Sequence, residues 1–221
     1  YVVTGHYARI DRDPKTGRFL LKKGLDPTKD QSYVLYAMTQ NQLAHTLFPL
    51  GELTKDQTRQ IAESQGFINA KKHDSQDICF VQTGNYADFI EEQTGKKCPE
   101  GNYIDKDGNV LGRHRGVIHY TIGQRKGLGI ALCEPMYVCA IDPEANTVTL
   151  GRNEDLFSRS LIAKDVNLIS VPSIGTPMKV KAKIRYRQQE QPATVTQIDE
   201  DTIRIDFDEP QRAITKGQSA V

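Results

Sequence analysis

Four segments in the last third of the chain alternate apolar and polar residues, and they restrict the possible folds more than any other feature. The segments cover residues 161–169, 178–187, 193–198 and 202–207. Alternation with a period of two places the apolar side chains on one face of a strand. Short strands that recur at this spacing are typical of a small barrel. The sequence therefore predicts a β-barrel, incomplete at its end, over residues 158–221.

The second of these segments, M-K-V-K-A-K-I-R-Y-R, carries a basic residue at every second position. In a strand, one face would hold the cations Lys179, Lys181, Lys183, Arg185 and Arg187, and the other Val180, Ala182, Ile184 and Tyr186. A run of outward cations favours an anionic partner, which points to RNA. The alternative is a solvated edge strand whose charges resist pairing with another chain.

Residues 1–81 alternate strand-like and helix-like segments, which is typical of an α/β domain. Residues 9–23 read as a hairpin around a D-P-K-T-G turn. Asp30 is placed to cap a helix that begins near Ser32. The sequence indicates the second half of an α/β nucleotide-binding domain, with a boundary near residue 86.

A second helix is predicted from a T-x-x-Q capping box formed by Thr54 and Gln57. It would run to about Gln65, and Gly66 would end it in the left-handed conformation. Ile61 and Ala62 would form its inner face.

The middle of the chain is rich in glycine and loops. Residues 86–94 predict a short amphipathic helix, and residues 105–109, D-K-D-G-N, a hairpin turn. Residues 136–150 predict a second hairpin that would place Cys139 in the core. Three basic residues at 113–115 and a Gly-rich loop with Arg125 and Lys126 could contact phosphate, or form a solvated basic face.

These segments predict three domains in an α/β plus β chain. Residues 1–85 would be the second half of an α/β nucleotide-binding domain. Residues 86–157 would form a small central α+β domain, and residues 158–221 the incomplete C-terminal β-barrel.

Residues 71–80, K-K-H-D-S-Q-D-I-C-F, combine cations, carboxylates and a cysteine at the start of a strand-like segment. Lys71, Lys72 and His73 would lower the pKa of Cys79 and favour its thiolate, whereas Asp74 and Asp77 would raise that pKa. Cys79 is therefore either an accessible nucleophile or a small buried apolar residue beside a strand.

Composition excludes several classes of protein. No apolar run approaches the length of a membrane span, and residues 1–6 lack the features of a signal peptide. The four cysteines are too sparse for a disulfide scaffold and form no C-x-x-C, so no metal site is expected. A net charge of +1 gives no overall nucleic-acid signature. We expect no membrane contact and a cytoplasmic location.

The stretch around Cys79 resembles the persulfide-cysteine segment of the tRNA-specific 2-thiouridylase family. Six further segments resemble blocks of that family, in family order: T-G-H-Y at 4–7, G-L-D-P-T-K-D-Q-S-Y at 24–33, L-F-P-L-G-E-L at 47–53, H-Y-T-I-G-Q-R-K-G-L-G at 119–129, R-Y-R at 185–187 and G-Q-S-A-V at 217–221. The family's S-G-G-V-D-S phosphate loop and first catalytic cysteine do not occur here, so the chain is expected to be a C-terminal portion that is inactive alone.

The resemblance implies that residues 1–85 are the second half of an ATP pyrophosphatase-like domain of the adenine-nucleotide α-hydrolase type, and that residues 86–157 bind tRNA. It also implies the role of individual residues. Cys79 would be the catalytic cysteine, and Gly5 would line an ATP site. The residues that would contact tRNA are His6, Lys29, Asp30, Gln31, Arg185, Tyr186 and Gln218. Tyr186 conflicts with the strand pattern, which places it on the inner face unless a bulge or strand end intervenes.

The resemblance also implies the chemistry. ATP, with Mg²⁺, would adenylate the C2 oxygen of the wobble uridine, and a persulfide on Cys79, charged by an upstream sulfur-relay protein, would deliver sulfur. The family's first cysteine would then release sulfide or form a disulfide. The alternative is a non-catalytic RNA-binding module in which Cys79 is structural.

Overall fold

The computed structural model describes residues 1–70 and 86–221. The chain divides into two compact units. The first unit comprises Tyr1–Asp74, Ile162–Asp208 and Gln218–Val221, and the second comprises Ser75–Leu161 and Glu209–Gly217. Cys79 lies outside the described residues. Among the helices of the described ranges, none has both the length and the apolar character needed to cross a membrane.

The strands within the described ranges are short. They are β1 (Val2–Val3), β2 (Ala8–Arg12), β3 (Phe19–Lys23), β4 (Thr46–Leu47), β5 (Gly101–Ile104), β6 (Val110–His114), β7 (Tyr137–Asp142), β8 (Thr147–Gly151), β9 (Phe157–Lys164), β10 (Met178–Ala182), β11 (Gln191–Gln197) and β12 (Thr202–Arg212). The α-helices are α1 (Gln40–Ala44), α2 (Lys55–Ser64) and α3 (Tyr86–Thr94). Short 3-10 turns cover Ser32–Leu35, Val117–His119 and Asn153–Leu156.

The first unit begins with two small sheets. Strands β1 and β4 pair in parallel, and β2 and β3 form the predicted antiparallel hairpin. Arg18 donates from this hairpin to the backbone carbonyls of Leu168 and Ile169, at 2.7 and 3.0 Å. Gln40, at the start of α1, donates to the carbonyls of Phe19 and Ile169. These bonds join the hairpin and α1 to the segment that follows β9.

Capping boxes explain where the first two α-helices begin. The predicted box of Thr54 and Gln57 is present, and α2 ends before Gly66, which has a φ of 72°. Thr39 and Gln42 form the same box at α1, a helix that the sequence reading missed although its T-x-x-Q pattern is identical. The predicted inner face of α2 is wrong, because Ile61 is 49% exposed and α2 has no buried residue.

The last four strands form one sheet in the order β10-β11-β12-β9. Strand β11 pairs antiparallel with both β10 and β12. The sheet is open in the described part of the chain, so four strands are confirmed but a barrel is not. Strand β10 ends at Ala182, five residues before the end of the predicted strand. The reason is that the backbone N–H and C=O of Lys183 bond to Val221 instead of continuing the pairing with β11.

The second unit contains a four-stranded mixed sheet in the order β6-β5-β8-β7. The turn between β5 and β6 and the hairpin of β7 and β8 confirm two sequence predictions. The core is formed by Tyr103, Tyr120, Leu128, Val138, Val148 and Leu150. The hydroxyl of Tyr103 donates to the carbonyl of Leu128 at 2.6 Å, which fixes the glycine-rich loop onto the sheet.

Cys139 is not a core residue as predicted. The pairing register of β7 with β8 shifts between Val138 and Ala140, so Cys139 lies at a β-bulge. Its side chain is half-buried, whereas Val138 is fully buried. Burial and the nearby Asp155 carboxylate raise the pKa of the Cys139 thiol, so the thiol stays protonated at neutral pH.

Candidate nucleic-acid interface

The structure brings together two segments that lie far apart in the sequence and that were both predicted to contact tRNA. The phenol of Tyr186 donates a hydrogen bond to the backbone carbonyl of Asp30 at 3.2 Å. Tyr186 lies in a turn beyond the end of β10 and is 42% exposed. The strand end therefore removes the conflict between its predicted inner position and a role in binding.

Asp30 organises its loop instead of capping an α-helix. Its Oδ1 accepts from the N–H groups of Gly24 and Ser32, and its Oδ2 accepts from the Ser32 hydroxyl. The predicted α-helix is a 3-10 turn of four residues, with Gln31 at its N-cap position. Residues 36–38 separate this turn from Thr39, which is extended and caps α1. The adjacent Lys29 is half-buried.

Gln31 connects this loop to His6. Its side-chain Oε1 accepts from the backbone N–H of Tyr7 at 3.0 Å, and the backbone N–H of Gln31 donates to the Tyr7 carbonyl at 2.9 Å. His6, immediately before Tyr7, is half-buried; its Nδ1 is 2.7 Å from the Thr4 hydroxyl, and its ring meets Phe48 edge-on. Gln31 thus fixes the backbone beside His6, a role that sequence reasoning did not anticipate.

Gly5 has room for a side chain, unlike two other glycines of this unit. An added Cβ at Gly5 would meet only the Leu50 side chain, at an ordinary contact distance of 3.5 Å. At Gly24 and Gly51, by contrast, an added Cβ would lie within 3 Å of the backbone at Tyr7 and Ala8. Packing therefore does not require a glycine at position 5, whereas close approach of a ligand to the exposed backbone would favour one. The assignment of Gly5 to a nucleotide site stays a prediction.

The five predicted cations do not lie on one strand. Lys179 and Lys181 are exposed on β10, and Lys179 forms an ion pair with Asp208 at 3.5 Å. Lys183 is only half-exposed, and its ammonium lies over the rings of Tyr33 and Tyr186. The prediction of a ten-residue basic strand is wrong because the strand ends at residue 182.

Tyr33 lies where three segments meet. Its hydroxyl donates to the carbonyl of Ser219 at 2.7 Å, and its ring is 5.9 Å from that of Tyr186. Burial raises the pKa of Tyr33, while the positive charge of nearby Arg185 opposes this shift. Gln218, next to Ser219, is exposed. Residues 30–33, 183–186 and 218–221 therefore converge, and they contain five of the residues predicted to contact tRNA.

The predicted basic patch of the second unit needs one correction. His114 is 2% exposed and cannot be a surface phosphate contact. Its Nδ1 accepts from the N–H of Gly116, and its Nε2 bonds to the carbonyl of Asn146. A carbonyl on one nitrogen and an N–H on the other require the neutral ring protonated on Nε2. Burial lowers the pKa of His114, in agreement with this assignment.

Arg125 and Lys126 are exposed, as the basic patch requires. They lie in the loop whose glycines 123, 127 and 129 all have a positive φ. The cysteines in the described ranges, at 98, 133 and 139, are free thiols. No group of three or more His, Cys, Asp or Glu residues that could hold a metal occurs in the ranges described.

Comparison with known proteins identifies the family. Three family models match successive parts of the chain: "tRNA methyl transferase HUP domain" at residues 1–83, "tRNA methyl transferase PRC-barrel domain" at 87–152 and "Aminomethyltransferase beta-barrel domain" at 158–221. The second and third descriptions name barrels, whereas each sheet described here is open.

Curated relatives match over the whole of this chain. The tRNA-specific 2-thiouridylase MnmA of Clostridioides difficile is 54% identical over 221 residues, and that of Acetivibrio thermocellus is 52% identical. The MnmA of Clostridium perfringens is 48% identical. The chain spans 61% or 62% of the length of these relatives. Identity near one half along the entire chain, together with three family models in order, means that this chain belongs to the tRNA-specific 2-thiouridylase family.

Proposed function

We propose that the protein acts in the ATP-dependent conversion of the wobble uridine of tRNA to 2-thiouridine. The observation that carries this proposal is the 54% identity, over all 221 residues, to a protein named as a tRNA-specific 2-thiouridylase. The convergence of residues 30–33, 183–186 and 218–221 supports it, because separate predicted tRNA contacts form one surface.

The chemistry follows from the uracil ring. Its C2 oxygen is a poor leaving group, and ATP, accompanied by Mg²⁺, supplies the adenylyl group that allows this oxygen to depart with AMP. The terminal sulfur of a persulfide on Cys79 would form the new bond to C2. A second cysteine would then break the S–S bond, so that the sulfur stays on the base and a disulfide with Cys79 results.

The described residues would bind and orient the substrates. Gly5 would let the nucleotide approach the backbone, and His6, fixed through Gln31 and Tyr7, would lie near the target base. Arg185 would contact the phosphate backbone, which positions the RNA without reading its sequence. The base must leave the anticodon stack to reach such a site. A sulfur-relay protein would charge Cys79, and a cytoplasmic location suits a tRNA substrate.

Two alternative functions would give a different outcome in an activity assay. A non-catalytic RNA-binding module would bind tRNA and leave it unchanged, and the words "methyl transferase" in two family descriptions raise methylation as a second chemistry. Full-length protein should be incubated with unmodified tRNA, ATP, Mg²⁺ and a sulfur-relay protein that carries a persulfide, and the digested nucleosides analysed by mass spectrometry. We expect 2-thiouridine that depends on ATP. Unchanged uridine, or a methylated one formed with a methyl donor, would refute the proposal.

A further inference from the structure

Lys183 occupies an unusual position for a surface lysine. Its ammonium lies 5.2 Å from the ring centroid of Tyr33 and 5.7 Å from that of Tyr186. It also donates a hydrogen bond to the carbonyl of Tyr186 at 3.2 Å. Cation–π attraction is effective within about 6 Å of a ring centroid, so both rings hold the same charge. The ammonium is directed into the protein's own turn.

Tyr33 completes this arrangement. Its side chain is almost buried, with 7% of the residue exposed, and it bonds through its hydroxyl to Ser219. The backbone of Lys183 forms a reciprocal pair of hydrogen bonds with Val221, at 2.8 and 3.0 Å. Lys183 and Tyr33 therefore touch all three segments that carry the predicted tRNA contacts.

We propose that Lys183 and Tyr33 are positioning residues that fix the surface formed by residues 30–33, 183–186 and 218–221 before tRNA binds. This inference rests on the proposed function. Lys183 acts through Tyr186 and does not itself neutralise a phosphate. Without the contacts of Lys183 and Tyr33, here called the clamp, the turn at 185–187 would have to be ordered during binding, and that entropy cost lowers affinity.

The dependence of binding on salt separates positioning from direct contact. Each phosphate neutralised by a lysine or arginine contributes about 0.7 to 0.9 to the slope of log affinity against log salt concentration. A positioning residue changes affinity at every salt concentration by the same factor and leaves the slope unchanged. Lys181, which is exposed on β10 close before Lys183, provides a matched loss of one charge.

The experiment compares Lys183→Met, Lys183→Arg and Lys181→Met in the full-length protein, with tRNA binding measured over a range of salt concentrations. We expect Lys183→Met to weaken binding about tenfold with an unchanged slope, the effect of one or two cation–π contacts. Lys183→Arg should restore affinity, because a guanidinium keeps the charge over both rings. Any loss of affinity in Lys181→Met should come with a lower slope.

Two results would overturn the inference. A slope reduced by about 0.7 to 0.9 in Lys183→Met would make Lys183 a phosphate contact. Unchanged affinity in Lys183→Met would mean that Lys183 has no role in tRNA binding.

If circular dichroism shows that Lys183→Met does not fold, Tyr33→Phe gives the second test, since it keeps both rings and removes only the bond to Ser219. We expect weaker binding with an unchanged slope. Unchanged affinity would refute the clamp. Wild-type protein that fails to bind tRNA would instead refute the proposed function.

Discussion

Replacing Gly51 with alanine should unfold the first unit at a much lower temperature. An added Cβ would lie 1.9 Å from the carbonyl oxygen of Ala8 and 2.8 Å from its carbonyl carbon. A carbon and an oxygen normally remain at least about 3.3 Å apart, so the two backbones would have to separate by more than about 1 Å. Ala8 is fully buried and paired with Lys23 in the hairpin, which leaves it little freedom to move.

The cost has two parts. Overpacking of a well-packed site costs about 1–3 kcal/mol, and the upper end applies here because the clash is with backbone. Separation would also break the hydrogen bond from the Leu25 N–H to the Gly51 carbonyl, 2.8 Å long, at a further cost of about 1 kcal/mol. The free energy of unfolding should therefore fall by about 3–4 kcal/mol. At about 2–4 °C per kcal/mol, the unfolding midpoint should drop by about 10 °C.

A second glycine of the same unit provides the control. An added Cβ at Gly175 has no described heavy atom within 4 Å, so Gly175→Ala should change stability by less than about 1 kcal/mol. Scanning calorimetry of the full-length protein and both variants makes the comparison. Equal midpoints for Gly51→Ala and Gly175→Ala would mean that the contact between Gly51 and Ala8 is not as described.

Three further predictions test other parts of the molecule. Gln31→Met should lower the free energy of unfolding by about 1–3 kcal/mol, because it leaves the N–H of Tyr7 without its acceptor. Gln31→Glu keeps an acceptor and should mainly weaken tRNA binding. Chemical unfolding measures the first effect, and a tRNA-binding assay measures the second. Because the pKa of His114 is lowered in the folded state, the contribution of the neutral ring to stability should be fully present above about pH 6.5. The free energy of unfolding should fall as acid protonates Nδ1, by at most about 1.4 kcal/mol per pH unit. This dependence on pH should be absent from the unfolding curves of His114→Gln. Cys79→Ser should abolish thiolation and persulfide labelling yet leave tRNA binding intact. Serine at Cys98, Cys133 or Cys139 should leave thiolation unchanged. Formation of 2-thiouridine by the Cys79→Ser enzyme would refute the assignment of Cys79 as the catalytic cysteine.

Local chemistry in the sequence predicted the elements that depend on it. The capping box of Thr54 and Gln57 and the hairpin turns fix a few neighbouring dihedral angles with side-chain hydrogen bonds, so a short stretch of sequence contains the whole signal. The missed helix α1 carries the same box at Thr39 and Gln42 and could have been found in the same way. Family motifs supplied most of the candidate binding residues, and the alternation of residues 178–187 separately indicated Arg185 as a cation that faces an anionic partner.

Tertiary contacts decided the remaining features. The alternation of residues 178–187 continues past Ala182, but the competing partner of Lys183 is Val221, and nothing within the segment encodes that choice. His114 stands between two arginines in the sequence, yet the rings of Tyr103 and Tyr120 pack against it and its bonds to Gly116 and Asn146 require the neutral form. In both cases a basic residue in a segment that reads as exposed makes its contacts within the protein.

The same distinction changes how the basic residues of this chain should be interpreted. A count of cations along a strand treats every lysine as a possible phosphate contact, yet the charge of Lys183 is held by two rings and that of Lys179 by Asp208. What Lys183 stabilises is the turn that presents Arg185 and Tyr186 beside Asp30. Affinity for tRNA would then depend on fewer direct contacts than the sequence indicates, and on how well the protein orders those contacts before the RNA arrives.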